Sequence, residues 1–154
     1  MTDDTEIRPI HPDDAGEVLT IQRAAFASEA RIYDDADMPP LTQTLEELRA
    51  ELVDNLGCVA LVGPRIVGAV RARADGDLLL IGRLAIAPDR QGGGLGTQLL
   101  AAVEARGRDE AGATTAELFT GGLSEANQHL YEREGYERSE VTDDGEIYYR
   151  KSLA

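Results

Sequence analysis

The stretch that decides the fold is residues 84–105, which read LAIAPDRQGGGLGTQLLAAVEA. Just before it, Leu78 to Ile81 form a continuous apolar run, and Leu84 and Ile86 extend this run in alternation, as in a β-strand. Pro88 cannot donate a ladder hydrogen bond, so the strand ends there. After a glycine-rich loop, apolar residues return at the spacing of a buried helix face: Leu95, Leu99, Leu100 and Val103. The stretch therefore predicts a strand, a glycine loop and a helix N-terminus.

A glycine loop at a helix N-terminus is suited to binding an anion, most often phosphate. The first N–H groups of the helix have no internal acceptors, and glycine lets a ligand approach the backbone closely. The usual P-loop is excluded because Gly96 is followed by Thr97 and Gln98 instead of Lys and Ser/Thr. A dinucleotide fingerprint is excluded because the sixth position counted from Gly92 or Gly94 is not glycine.

The segment from Gln91 to Gly96 has the form Q/R-x-x-G-x-G/A and resembles the coenzyme A pyrophosphate loop of the GNAT superfamily of acetyl-CoA-dependent N-acetyltransferases. The preceding residues 84–88 are similar to the cofactor strand of that family. The resemblance implies that the Ile86 N–H stabilises an oxyanion and that acetyl-CoA is bound by Leu84, Ala85, Ile86, Gln91, Gly92, Gly93, Gly94, Gly96 and Thr97. An ordinary glycine turn before a helix is the structural alternative.

A second motif, residues 127–136, reads NQHLYEREGY and is similar to the N-x-x-A-x-x-L-Y-E-K-x-G-F segment of the same family. Asn127 and Tyr131 are four residues apart and share one helix face. By resemblance, Asn127 contacts the pantetheine arm and Tyr131 lies near the sulfur. A phenol with an unperturbed pKa of about 10 is protonated at neutral pH and can act as a general acid. The alternative is an amphipathic helix that buries Tyr131 in the core.

The acceptor side is predicted from residues 28–43, which show no periodicity and are expected to form a loop. In the family, this loop covers the acceptor, so Glu29 is our first choice of catalytic base. Tyr33 and Asp34, with Asp35, are expected to bind a cationic acceptor. Arg83 would instead recognise an acceptor carboxylate, and the sequence leaves these two ideas open. A solvated acidic loop is the structural alternative for the acidic residues.

The remaining elements complete the order β-α-α-β-β-β-α-β-α-β-β, which is the order of the GNAT fold. Residues 6–10 predict a first strand, and Thr44 and Glu47 form a capping box before a helix that is expected to bury Leu45. The expected fold is α/β (α+β): a mixed central sheet of six to seven strands, flanked by about four helices, with a splayed cofactor-binding strand pair. We expect a single N-acetyltransferase domain over residues 1–154.

Composition narrows the function further. The net charge of −14 disfavours nucleic acid and anionic membranes as partners and fits a cationic acceptor or salt adaptation. One cysteine and no Cys/His cluster predict no metal site, and with no signal peptide we expect a cytoplasmic protein.

The predicted function is acetyl transfer from acetyl-CoA to a small-molecule or peptide amine. The alternative is a catalytically silent acyl-CoA-binding module. A homodimer is one option for the oligomeric state.

Overall fold

The computed structural model describes residues 5–154, which form a mixed seven-stranded sheet with five α-helices around it. The strands are β1 (Thr5–Pro9), β2 (Cys58–Val62), β3 (Arg65–Asp75), β4 (Leu78–Ile86), β5 (Thr115–Gly121), β6 (Glu137–Val141) and β7 (Glu146–Ser152). The helices are α1 (Ala15–Tyr33), α2 (Pro39–Thr42), α3 (Leu45–Glu51), α4 (Leu95–Ala111) and α5 (Glu125–Arg133). The strand order is β1-β2-β3-β4-β5-β7-β6. This confirms the expected fold class.

The sheet carries a hydrophobic core on each face. The predicted apolar stripe of α4 is fully buried, and it packs with β-strand residues such as Val67 and Leu79 in one cluster. Residues of α1 and α3 pack against the opposite face with Ile66, Ala69 and Ala85. Helices cover both faces of the sheet around β4, the strand that leads into the glycine loop.

Strand β4 departs from regular geometry near its middle. Ala69 of β3 lies opposite Ala85, but Arg71 lies opposite Gly82, so β4 has one extra residue between these pairs. This is a β-bulge. The parallel pairing of β4 with β5 covers only Leu78–Leu80, and the carboxyl half of β4 is not paired with β5. The expected splayed strand pair is therefore present.

Two local predictions were wrong. The segment expected to be a loop over residues 28–43 is helical as far as Tyr33, because residues 27–33 contain no glycine or proline to stop α1. The helix ends where Asp34 adopts a left-handed conformation with φ of 50°. The segment is helical again over Pro39–Thr42, the short helix α2, where two prolines occupy the first helical turn. Leu45, expected to be buried, is 37% exposed because it opens a short helix whose buried residue is Leu48, followed by the buried C-cap residue Leu52.

The predicted capping box at the start of α3 is confirmed. The Thr44 hydroxyl accepts from the Glu47 N–H at 3.1 Å, and the Glu47 carboxylate accepts from the Thr44 N–H at 2.8 Å. Gly112 follows α4 with a positive φ of 65°, a conformation that glycine adopts at low cost. In residues 5–154, no helix combines the length and apolarity that a membrane crossing requires.

Candidate active site

Two connected cavities lie along the carboxyl half of β4. The first, which we call the α4 groove, has a volume of about 430 Å³ and runs past the N-terminus of α4. The second, the inner cavity, has a volume of about 510 Å³ and lies between the splayed strands and helix α1. Four residues line both cavities and mark where they join: Phe26, Glu29, Leu84 and Asn127.

The α4 groove presents hydrogen-bond donors and positive charge at one end. The first intrahelical bond of α4 runs from the Gln98 N–H to the Gly94 carbonyl, so the N–H groups of residues 95–97 have no helical acceptor. Gly92 and Gly94 have φ values of 82° and 84°, in the left-handed region that side chains disfavour. Arg90 and Arg133 also line this groove. The free N–H groups of α4, the positive end of its helix dipole and the two arginines together suit the binding of a pyrophosphate.

Side-chain contacts fix the start of α4 against α5. A Cβ at Gly96 would lie 3.2 Å from a methyl carbon of Leu130, so glycine permits this close approach. The Thr97 hydroxyl donates to the Glu134 carboxylate at 3.0 Å. Because that hydroxyl is used within the protein, Thr97 offers a ligand its backbone N–H.

The exposed edge of β4 supplies further backbone groups. The Ala87 N–H donates to the Val67 carbonyl on β3 at 2.9 Å. Backbone groups of successive strand residues point to opposite edges, so the Ile86 N–H faces the gap between β4 and β5. Across the gap, the Asn127 amide donates to the Thr120 hydroxyl at 3.2 Å, which orients Asn127 towards both cavities. This gap is the place for an extended arm that adds itself as a strand.

Tyr131 lines the inner cavity and is 6% exposed. Its ring packs edge-on against Tyr149, with centroids 5.8 Å apart, and against Tyr136 at 6.2 Å. Its hydroxyl makes no hydrogen bond to another residue of the described range 5–154. Burial raises the pKa of Tyr131 above its ordinary value, and the nearby negative charge of Glu29 adds to this effect. The phenol is therefore a protonated donor at neutral pH.

Glu29 belongs to a hydrogen-bonded chain that joins α1 to the β5–α5 turn. The Ser124 hydroxyl donates to the Glu29 carboxylate at 2.6 Å, and the Tyr33 and Ser124 hydroxyls are 2.8 Å apart. Since the single Ser124 proton is directed at Glu29, Tyr33 is the donor in that second bond. The Leu123 N–H in turn donates to the Tyr33 oxygen at 3.0 Å. The chain holds Glu29 at the junction of the two cavities.

The structure brings most of the predicted site residues together. The α4 groove is lined by Leu84, Ile86, Gln91, Gly92, Gly94, Gly96, Thr97, Asn127 and Glu29, and the inner cavity by Tyr131, Tyr33, Arg83, Glu29, Leu84 and Asn127. Three predicted residues line neither cavity: Ala85, which is buried in the opposite core, Gly93, and Asp34, which is an exposed helix cap. Asp35 lines the inner cavity in place of Asp34.

Sequence reasoning missed several lining residues. Ser124 occupies the N-cap position of α5, where serine usually caps a helix, but its hydroxyl makes no capping bond and donates to Glu29 instead. Arg90 directly precedes the glycine motif, so its sequence position could have indicated a phosphate-binding residue. Asp144 and Glu146, which line the inner cavity, come from the distant β6–β7 hairpin, and no local pattern links them to the site.

The sequence profile described as "Acetyltransferase (GNAT) family" matches residues 19–136, which include the glycine loop, β4 and the second motif. The chain belongs to the GNAT acetyltransferase family. A comparison with curated proteins finds no significant match. The two acids of the β6–β7 hairpin, Asp144 and Glu146, lie outside the matched part of this GNAT chain.

Solved structures agree with this GNAT assignment at the level of the fold. The PaiA N-acetyltransferase of Thermoplasma acidophilum, in complex with coenzyme A, is 19% identical with a TM-score of 0.81, covering 99% of each chain. A GNAT acetyltransferase of Streptococcus pneumoniae is 19% identical with a TM-score of 0.78, covering 98% of this chain and 100% of its own. The ribosomal-protein-S18-alanine N-acetyltransferase of Escherichia coli is 17% identical with a TM-score of 0.72, covering 97% of this chain and 94% of its own.

Proposed function

We propose that this protein transfers the acetyl group of acetyl-CoA to the primary amine of a small molecule or protein by direct attack in a ternary complex. The observation that carries the proposal is the junction of the two cavities. The α4 groove offers phosphate-binding groups, and at Glu29 it meets the inner cavity, which contains further acids and the protonated phenol of Tyr131. The likeness to an acetyltransferase in complex with coenzyme A supports the same cofactor.

The α4 groove would hold the coenzyme A part of the substrate. The N–H groups of residues 95–97, with Arg90 and Arg133, would bind the pyrophosphate, while the open edge of β4 would pair with the pantetheine amides. Asn127 would contact the arm from the opposite side. This arrangement would put the thioester near Leu84 and Glu29, where the two cavities meet, and alignment of this kind contributes greatly to bimolecular transfer.

The reaction forms a C–N bond and breaks the C–S bond. An alkylammonium must lose a proton before its nitrogen can attack, and Glu29, the carboxylate at the junction of the two cavities, would accept that proton. The Ile86 N–H faces the splayed gap and would donate to the carbonyl oxygen as negative charge develops there. Tyr131 would donate a proton to the departing sulfur, so that coenzyme A leaves as its thiol. The attacking nitrogen would lose its second proton as the C–S bond breaks, and this proton would restore the Tyr131 phenol, while Glu29 would release its proton to solvent. The products are an acetamide and free coenzyme A.

An amine panel tests this proposal. Release of free thiol from acetyl-CoA is measured with polyamines, amino acids, aminoglycosides and peptide N-termini, while calorimetry measures coenzyme A binding. Saturable thiol release that depends on one class of amine is the expected result. Saturable coenzyme A binding without turnover on any amine would support the silent acyl-CoA-binding module instead. Absence of coenzyme A binding would contradict both.

A further inference from the structure

Arg83 is placed in the inner cavity by the bulge of β4. It lies between the pairs Ala69–Ala85 and Arg71–Gly82, where β4 has its extra residue, and its φ is 52°. A non-glycine residue with positive φ is uncommon and costs free energy, so it persists only where the surrounding structure enforces it. The conformation directs a long cationic side chain into a cavity whose other charged lining residues are all acidic.

Within residues 5–154, no carboxylate forms an ion pair with the Arg83 guanidinium. Its Nε is buried, and the side chain makes no hydrogen bond or ion pair with any residue in 5–154. Glu51 is the carboxylate whose charge acts on it, but Glu51 is already paired with the buried Arg71, Nε to Oε2 at 2.6 Å. Two guanidiniums therefore share one carboxylate. The excess positive charge is in a partly desolvated position, where an unpaired charge is costly.

The other charged residues that line the inner cavity are four acids, Glu29, Asp35, Asp144 and Glu146, and none of them forms an ion pair with Arg83. Glu29 projects from α1, and Asp144 and Glu146 come from the β6–β7 hairpin. Strand β5 separates β4, which carries Arg83, from β7 in the sheet order. The cavity therefore combines one guanidinium on β4 with acids that other elements carry.

We propose that the acceptor is an amine that carries a carboxylate in the same molecule, and that Arg83 binds this carboxylate while the amine faces Glu29. The inference rests on the proposed acetyl transfer and names its substrate class. The planar guanidinium matches a carboxylate with two parallel hydrogen bonds. A singly charged carboxylate balances the single excess charge at Arg83. A phosphate dianion would exceed it and would be repelled by the acids of the cavity.

Matched pairs of acceptors test the proposal: β-alanine against β-alaninamide, and lysine against lysinamide. Amidation removes the carboxylate charge at nearly constant size. It also lowers the pKa of the amine, so more of the amide is in the reactive neutral form, and without a carboxylate site the amide would be the better acceptor. We expect the wild type to prefer at least one carboxylate over its amide. In Arg83→Gln the kcat/KM for that carboxylate should fall about 10- to 100-fold, with little change for the amide.

Two variants serve as controls. Arg73→Gln removes the same charge from an exposed position of β3 and should keep the wild-type preference. Arg83→Lys keeps the charge but loses the planar fork, so it should retain part of the preference. The KM for acetyl-CoA should be unchanged in all three variants, which shows that the fold and the α4 groove are intact.

The outcomes separate this inference from the proposed function. If amines are acetylated but the wild type prefers the amides, or Arg83→Gln keeps the preference for a carboxylate, the inference is overturned and acetyl transfer stands. If no amine is acetylated, calorimetry of the same matched pairs on the coenzyme A complex decides the inference. Tighter binding of the carboxylate that depends on Arg83 supports it, and binding that ignores Arg83, or no binding of any pair, overturns it.

Discussion

Substituting Gly94 by alanine separates phosphate binding from fold stability. Gly94 caps α4 with φ of 84°, and a Cβ built there would meet no protein atom within 4 Å. The cost to the protein is therefore conformational, roughly 1–2 kcal/mol for an L-residue in this region. For a chain of this length, that corresponds to a fall in Tm of about 2–8 °C. Because Gly94 lines the α4 groove, the new methyl group would also occupy space where a phosphate approaches the backbone.

The hairpin residue Gly145 provides a matched control, since its φ is 86° and a Cβ there also meets no protein atom within 4 Å. Gly145→Ala should lower the Tm by a similar amount. Displacing a phosphate from one charge-assisted hydrogen bond costs about 1.5–3 kcal/mol, so Gly94→Ala should raise the Kd for coenzyme A at least about 10-fold. Gly145→Ala should leave it unchanged. Calorimetric titration with coenzyme A and thermal melts measure both quantities. Equal Kd values for the two variants would refute the assignment of the α4 groove.

Two further predictions concern the reacting groups. Tyr131→Phe should lower kcat by about 10²-fold, which is the lower end of the range for the loss of a general acid. The effect is at this end because the raised pKa of the phenol favours hydrogen bonding to the sulfur over early proton release. Since the phenol stays protonated, the rate profiles of wild type and variant should have the same shape between about pH 7 and 10, and a variant with wild-type kcat would show that Tyr131 only packs. Glu29→Gln should lower kcat by about 10²-fold with unchanged affinity for coenzyme A, whereas Glu125→Gln, on the exposed first turn of α5, should have no effect. An active Glu29→Gln enzyme would point to water or another group as the base.

The parts of the site that the sequence predicts are those built by neighbouring residues. Pro88, the glycines and the apolar spacing after Leu95 act within a few residues of each other, so the strand, loop and helix N-terminus follow from local rules. The i,i+4 relation of Asn127 and Tyr131 is equally local. These features account for the cofactor side of the site.

The acceptor side depends on contacts between distant parts of the chain. Ser124 meets Glu29 across 95 positions of sequence, and its usual role as a helix cap conceals that contact. The extension of α1 to Tyr33 is not predicted because the polar and charged residues there show no apolar helical periodicity. The end of this helix is held by a distant contact, in which the Tyr33 hydroxyl accepts from the Leu123 N–H. Gly121 illustrates the same dependence, since a Cβ there would collide with the Tyr33 hydroxyl. The need for glycine at this position follows only from the packing of β5 against α1.

The bulge in β4 connects the two halves of the site. Side chains of a regular strand alternate between faces, so Leu79 and Ile81, which pack in the α4 core, predict that odd-numbered residues continue on that face. Beyond the bulge the phase is reversed: Ile86 packs towards the α4 core and Ala85 packs in the opposite one. One extra residue produces this reversal. The continuous apolar run in the sequence conceals the change of phase. The same insertion that turns the end of β4 towards the α4 groove therefore also creates the strained position from which Arg83 enters the inner cavity.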